Sequence, residues 1–371
     1  MALGGAVQEI VKESYDELTR RGYEVVIISP HPKQGDPTNL TQRIVYIGKA
    51  SDPKSPLGTV GQVSTARRSE IDEILNREKF DVIHMHEPWV PLSNQQILKR
   101  ITCPVVATFH AKLPESWVAN TIKTVGRIYT APILKHIDVC VAVSEPAAEH
   151  VSAVLGRSVQ IIPNAVNLKA FTAATEWEPI DAGKKTLLYV GRLEERKGVT
   201  YLLKAFKKLH EKYPDTQLMI GGNGPDRAAL EQQAIADGTD AVLFLGYLED
   251  AHKKELLQRA DLFVAPATFG ESFGIILIEA LASGQVVVAG DNPGYRSVMK
   301  GLGDVSLVDP HDTAAFTAKL ETLLYDEKLR KDYRAWASEY VKQFDYTVVT
   351  DKYEALYKQL LEDTKSGKAA E

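Results

Sequence analysis

Short, mostly apolar runs alternate along the chain with longer stretches in which apolar residues recur every three to four positions. In the first half the runs are Glu24–Ser29, Ile44–Ile47, Asp81–His86, Val105–His110, Val139–Ser144 and Val159–Ile162. In the second half they are Thr186–Gly191, Gln217–Gly221, Val242–Gly246, Leu262–Pro266, Val286–Ala289 and Val305–Val308. Runs this rich in branched apolar residues predict strands of a parallel sheet covered on both faces. Their alternation with helical patterns predicts doubly wound α/β architecture. The period is lost between Asn164 and Pro179, and a new strand starts at Lys185, which predicts a first domain over residues 1–168 and a second over 169–347. From Glu327 to Asp363 the pattern is helical, with a break at Phe344–Asp345–Tyr346.

One feature departs from this plan. Residues 1–22 read as a glycine-bearing loop, Gly4–Gly5–Ala6, running into a helix that ends near Arg21–Gly22. A Rossmann-type domain normally places a strand before such a turn. None precedes it here, so either the domain is built differently or its first strand has been lost from this chain. Losing a central strand would leave unpaired backbone on both of its neighbours.

The 371 residues suffice for two domains, each with its own core. A net charge of -5 gives no support to a globally basic surface for nucleic acid. The cysteines, Cys103 and Cys140, sit in apolar strand-like runs, so buried reduced thiols and a cytosolic compartment are expected. No apolar run has the length of a spanning helix, and residues 1–12 lack the layout of a signal peptide.

The strongest chemical signal is Phe269–Gly–Glu–Ser–Phe–Gly–Ile–Ile–Leu–Ile–Glu279, directly after the strand Leu262–Pro266. Gly270 and Gly274 let backbone approach a ligand, and the helix that follows offers unpaired N–H groups and a positive dipole end to a phosphate. Glu271 and Glu279 are eight residues apart, roughly 12 Å if all were helical. A hydrolase pair lies about 5–9.5 Å apart. Two separate grips on an extended ligand fit better than an acid–base dyad. A capped helix with one solvated Glu is the plainer alternative.

The second signal is Tyr189–Val–Gly–Arg192–Leu–Glu–Glu–Arg–Lys197–Gly198, again between a strand and a helix. Arg192 and Lys197 could neutralise a diphosphate leaving group, where charge develops in the transition state. A solvated loop in which Glu194 and Glu195 pair with these cations is the alternative. Ile220–Gly–Gly222–Asn–Gly–Pro225 resembles the start of a dinucleotide fingerprint but lacks its third glycine, which argues for a tight turn near a ligand and against a nicotinamide site.

His84 and His86 are two apart on a strand and share a face. With Glu87 they suggest a metal, yet no further ligands occur at metal spacing, and none is expected. His110 ends a strand, where α/β sheets open onto ligands, although a core histidine would look the same. Residues Ala111 to Ile137 carry Lys112, Lys123, Arg127 and Lys135 against a single acid, Glu115, with Trp117, Ile122, Val125 and Tyr129 between them. This suits a membrane-touching amphipathic surface or an ordinary surface helix.

Together these segments resemble family 4 retaining glycosyltransferases, whose GT-B fold has two Rossmann-like, doubly wound parallel-sheet domains facing a cleft. Glu271 to Glu279 matches that family's Glu-seven-residues-Glu motif. Gly191–Arg192 with Lys197–Gly198, Gly222–Asn–Gly–Pro225, Phe244 to Asp250, and Ile162–Pro–Asn164 agree with it as well. His84–Met–His–Glu–Pro88 and Ala107–Thr–Phe–His110 are similar to the bacterial phosphatidylinositol mannosyltransferases.

The resemblance implies roles. Glu271 would hold donor sugar hydroxyls and Glu279 the ribose. N–H groups of Phe273, Gly274 and Ile275 would meet sugar and phosphate. Arg192 and Lys197 would stabilise the departing diphosphate. Leu248, Asp250 and Lys253 would line the base pocket, where an Asp and a Lys suit guanine. His110 would sit near sugar and acceptor. Gly5, Ala6 and Gln8 would close on the phosphates from the first domain, Gln8 on the acceptor side. A crossover helix within 348–371 would return to the first domain. No metal or other cofactor would be required. Two departures stand out: Ala6 stands where a second Gly is favoured, and Thr65–Ala–Arg–Arg–Ser–Glu–Ile–Asp–Glu73 mixes charges where a basic cluster is expected, which bears on the lipid acceptor.

The expected activity is retaining transfer of a hexose, mannose from GDP-mannose, to a lipid or glycolipid at the cytoplasmic membrane face. The resemblance implies front-face attack, with the leaving phosphate helping to take the proton and no enzymic nucleophile. The alternatives are transfer from a UDP-sugar to a soluble acceptor, a non-catalytic sugar-nucleotide-binding protein, and a sugar-nucleotide epimerase.

Overall fold

The structure is a computed structural model that describes residues 6–31, 41–51, 63–88, 93–110, 135–172, 180–181, 183–238 and 240–367. The chain divides into two compact units. One comprises Met1–Ala165 with Tyr346–Glu371, the other Val166–Asp345.

In the first unit the helix Ala6–Arg20 precedes the strands β1 (Ile27–His31), β2 (Ile44–Ser51) and β3 (Val63–Thr65). β1 and β2 run parallel, and β3 pairs antiparallel to β2. A separate sheet holds β4 (Ile83–His86), β5 (Val105–Phe109), β6 (Val139–Ala142) and β7 (Gln160–Ile161), in that order and all parallel. Among the described residues β1 and β4 each pair along one edge only.

β5 shows how sequence becomes packing. All five of its residues are buried because it has a strand on each side and a covered layer on each face. Val105, Ala107 and Phe109 point one way, into a cluster with Met85, Leu98 and Cys140. Val106 points the other way, against Val349, Leu356 and Leu360 of the helix Tyr346–Lys365. Each such aliphatic side chain contributes about 1.5–3 kcal/mol by leaving water. That helix is also tied to the helix Ala6–Arg20 by Arg21, whose guanidinium reaches Asp351 (2.6 Å) and Glu354 (2.7 Å) while its Nε bonds Glu17 (2.8 Å).

The second unit is a single six-stranded parallel sheet. Its strands are β8 (Lys185–Val190), β9 (Thr216–Gly221), β10 (Val242–Gly246), β11 (Leu262–Ala265), β12 (Val287–Gly290) and β13 (Leu307–Val308). The spatial order is β10-β9-β8-β11-β12-β13. The chain starts at β8, moves outward through β9 and β10, then crosses to β11 and moves outward the other way. The reversal falls between β8 and β11, and sheets of this kind open a crevice at that point, beyond the strands' carboxyl ends. The predicted strand Val305–Val308 is shortened to β13, because Gly301–Ser306 winds into a 3-10 turn.

Candidate functional site

The loops leaving β8 and β11 flank the reversal, and the charged residues singled out in the sequence gather on them. After β8 the chain runs through Gly191 and Arg192 into the 3-10 turn Glu195–Lys197, then into the helix Val199–Lys212. After β11 it runs through Gly270 and Glu271 to Gly274, whose φ of 99° caps the helix Ile275–Ala282. Glu271 therefore lies in the loop before that helix and Glu279 within it.

Glu271 Oε1 accepts from Lys197 Nζ at 2.6 Å and from Arg196 Nη1 at 2.8 Å. Its Oε2 takes no hydrogen bond from the described residues. The Glu271 side chain is 12% exposed and that of Lys197 18%, so the pair is partly withdrawn from solvent yet reachable. Arg196 Nε also stands 2.7 Å from Glu194 Oε1, off the hydrogen-bonding line. Arg192, the predicted diphosphate ligand, is mostly exposed and lies 3.3 Å from Glu194. Of the two acids considered as partners for these cations, Glu194 pairs and Glu195 lies exposed. Arg196 was not among the expected site residues, yet it is one of the two cations on Glu271.

Beneath this cluster the loops touch through backbone. Gly222 has φ of 132°, and a Cβ there would lie 1.9 Å from the Gly191 carbonyl oxygen. Gly198 has φ of 69°, and a Cβ would lie 2.0 Å from the Pro266 carbonyl oxygen. Only glycine combines that conformation with that approach. The turn at Gly222 thus supports the loop that carries the cations.

A second charged group lies further along the same helix. Lys253, on the helix Asp250–Arg259, reaches Glu279 at 2.9 Å and Asp250 at 3.1 Å, while Lys254 holds Asp250 at 2.6 Å. Burial raises the Glu279 carboxyl above its ordinary range, against the pull of Lys253. Burial pulls Lys253 down, but Glu279 and Asp250 outweigh it and its net shift is upward. Leu248 borders the end of β9, since a Cβ on Gly221 would lie 2.3 Å from its Cδ1. Phe273 is buried and packs edge-on against Phe344, their ring centroids 6.0 Å apart. Ile275 opens the helix, where the first N–H groups have no partner within the helix itself.

The first unit carries polar residues of another kind. His86 Nδ1 lies 2.9 Å from His110 Nε2, and His110 Nδ1 lies 3.1 Å from the buried Asn164 Oδ1. The His110 backbone N–H donates to Glu87 Oε1 at 2.5 Å. His84 bonds Tyr357 Oη at 2.6 Å and Thr108 Oγ1 at 2.7 Å. Burial pushes His84 down to about 3 and His110 to about 4, and holds His86 well below its ordinary value, so all three are neutral at neutral pH. Among the described residues, no three His, Cys, Asp or Glu side chains gather as a metal site would require.

Gly5 and residues 111–134 of the expected basic stretch lie outside the described residues, as does the Ala6 side chain. Gln8 is half-buried on the first helix. The segment Thr65–Glu73 mixes charges in the structure as in the sequence, with Asp72 paired to Arg100 at 3.0 Å. Among the described residues no helix is long and apolar enough to cross a membrane.

Comparison with known proteins covers almost the whole chain. Residues 4–170 match the family model for Glycosyltransferase Family 4, and residues 172–340 that for Glycosyl transferases group 1. The chain is 34% identical over 360 residues to a phosphatidyl-myo-inositol mannosyltransferase of Mycolicibacterium smegmatis, covering 95% of this chain and 90% of the relative. It is 29% identical to the enzyme of that name from Propionibacterium freudenreichii, covering 95% and 91%. A glycosyltransferase structure from Rickettsia africae superposes with a TM-score of 0.75 at 18% identity, covering 97% of this chain and 96% of that one. Anabaena Alr3699/HepE in complex with UDP and glucose superposes at 0.72 and 16% identity, covering 95% and 96%. At these identities the structural matches speak for the fold, which is GT-B.

Proposed function

This chain belongs to glycosyltransferase family 4, and from that premise we propose that it transfers mannose from GDP-mannose to a phosphatidylinositol-type lipid at the cytoplasmic membrane face, with retention of configuration. It is a hexosyltransferase by family. The donor, the acceptor and the stereochemistry are the further reading.

The observation that carries the reading is the Glu271 carboxylate, with two cations on one oxygen and no donor among the described residues on the other. A diphosphate arriving at Lys197 and Arg192 competes with that carboxylate for the ammonium group. Glu271 is then freed to accept from sugar hydroxyls, while the cations take up the charge that grows on the leaving phosphate. The N–H groups of Phe273, Gly274 and Ile275 add the helix end to the same phosphate. Glu279 holds the ribose, and Leu248, Asp250 and Lys253 face the base, with Gly222 forming the turn beside it. An Asp and a Lys match the donor and acceptor edge of guanine. Gly5, Ala6, Gln8 and His110 serve the donor phosphates and the acceptor from the first unit. Because the cations and the helix end supply the positive charge, the reaction proceeds without a metal or other cofactor.

The named activity of the mannosyltransferase relatives supports a lipid acceptor. The test is titration calorimetry with GDP, UDP and ADP on the wild type and on Glu279→Ala. A GDP preference that the substitution abolishes is expected. A preference for UDP would overturn the guanine reading, and no binding of any nucleotide would overturn the donor site. Co-sedimentation with phosphatidylinositol liposomes tests the acceptor side, where partition equal to that with neutral liposomes would count against it.

A further inference from the structure

We propose that Arg196 is a positioning residue that stays with Glu271 when the other cations of the site go over to the diphosphate, an assignment that rests on the donor reading above.

Five charged side chains on the loops after β8 and β11 form a row of alternating sign. Arg192 Nη2 lies 3.3 Å from Glu194 Oε2, and Glu194 Oε1 lies 2.7 Å from Arg196 Nε. Arg196 Nη1 donates to Glu271 Oε1 at 2.8 Å, and Lys197 Nζ donates to the same oxygen at 2.6 Å. The row thus runs Arg192, Glu194, Arg196, Glu271, Lys197, with a cation at each end and Arg196 in the middle. Among the described residues each end cation has one acid within ion-pairing distance, while Arg196 has two.

Arg196 is also fastened to the loop after β11 by more than charge. Its carbonyl oxygen accepts from the Thr268 backbone N–H at 2.9 Å, and its Nη1 reaches the Gly270 carbonyl at 3.3 Å. Its side chain lies along Gly270, where a Cβ would stand 3.2 Å from Arg196 Cδ. The Lys197 ammonium bonds Glu271 alone among the described residues.

These contacts decide which cations an incoming diphosphate can take. If Lys197 turns to it, Glu271 keeps Arg196. If Arg192 turns to it, Glu194 keeps Arg196 as well. If Arg196 left instead, both carboxylates would lose a cation at once, and Glu194 Oε1 is already buried without a hydrogen bond. A withdrawn carboxylate stripped of its partner is costly, and more so beside a second negative charge. With Arg196 in place, Glu271 keeps one donor on Oε1. Its Oε2 and the lone pair that Lys197 gives up are then free for sugar hydroxyls.

A strut between the two loops would show the same bonds, but the two roles part in a double-mutant cycle. A residue that acts through the Glu271 carboxylate has little left to lose once that carboxylate is gone, whereas a strut loses as much as before.

The experiment is that cycle on the full chain, read by titration calorimetry with GDP and by initial rates from GDP-mannose to phosphatidylinositol liposomes. Lys197→Gln should weaken GDP about tenfold or more, and Arg196→Gln by no more than about threefold. Arg196→Gln should lower kcat about tenfold in the wild-type background and less than about twofold in the Glu271→Gln background. An equal loss in both backgrounds overturns the proposal. So does GDP binding weakened alike by both single substitutions, since Arg196 would then be a diphosphate ligand. If Arg196→Gln does not fold, Arg196→Lys enters the same cycle, because an ammonium cannot span both acids as the guanidinium does. If the wild type binds GDP but transfers nothing, the reading of the reaction fails while the titrations still decide which cation goes over. If it binds no GDP, the donor reading fails and the proposal with it.

Discussion

The polar groups of the two units are built on opposite principles. In Val166–Asp345 they are charged: Lys197 and Arg196 on Glu271, Lys253 on Glu279. Around His110 in the first unit they are mostly neutral: three histidines, an asparagine, a threonine and two tyrosines in two hydrogen-bonded groups, with the Glu87 carboxylate on the His110 main chain. Partly exposed ion pairs cost little to trade for an incoming charge, which suits a diphosphate. A chain of neutral donors and acceptors cannot neutralise a charge, but it fixes direction, which suits an uncharged hydroxyl.

Breaking the charged side should have the largest effect. Glu271→Ala and Lys197→Ala are each expected to lower kcat/KM about 10²–10³-fold, measured by initial rates with GDP-mannose. Losses no larger than that of His110→Ala would erase the contrast. Arg196→Gln should cost less, about tenfold, because Lys197 still holds Glu271 Oε1. A loss equal to that of Lys197→Ala would make Arg196 the principal cation. The neutral side shows itself in pH. His84 and His110 have folded pKa values near 3 and 4, below the ordinary 6.5, so the unfolded chain binds more protons between those limits. Stability is then full above about pH 6.5 and is lost as pH falls toward 4. Scanning fluorimetry should show Tm falling by several degrees from pH 7 to pH 5, and less so in His84→Phe. A flat profile would mean that the histidines are hydrated and not held neutral.

Much of this was legible in the sequence, for physical reasons. Strands such as β11 and β12 are buried throughout, so they spell themselves as unbroken apolar runs. The loop before Glu279 announces itself by Gly270 and Gly274, whose φ values of 74° and 99° favour glycine. The rest depended on folding. β3 has three residues, too few to show a period, and pairs antiparallel at the end of a parallel pair. Arg196 sits in a run of two acids and two bases that sequence alone weighs equally. Only the 3-10 turn decides that Arg196 and Lys197, not Glu195, face Glu271. His84 and His86 could be placed on one face by alternation. That His110 joins them follows from register, since His86 stands opposite Thr108 on the neighbouring strand.

The glycines at 222 and 198 have a consequence for how such an enzyme can change. Each presses main chain against main chain, Gly222 on the Gly191 carbonyl and Gly198 on the Pro266 carbonyl. The frame that aims Lys197 and Glu271 is thus welded at points where no side chain takes part. Residues 248, 250 and 253 lie off those welds, on the loop after β10 and the helix it feeds. On the function proposed above, a descendant could rewrite which base it prefers there, one substitution at a time, without retuning Lys197 and Glu271.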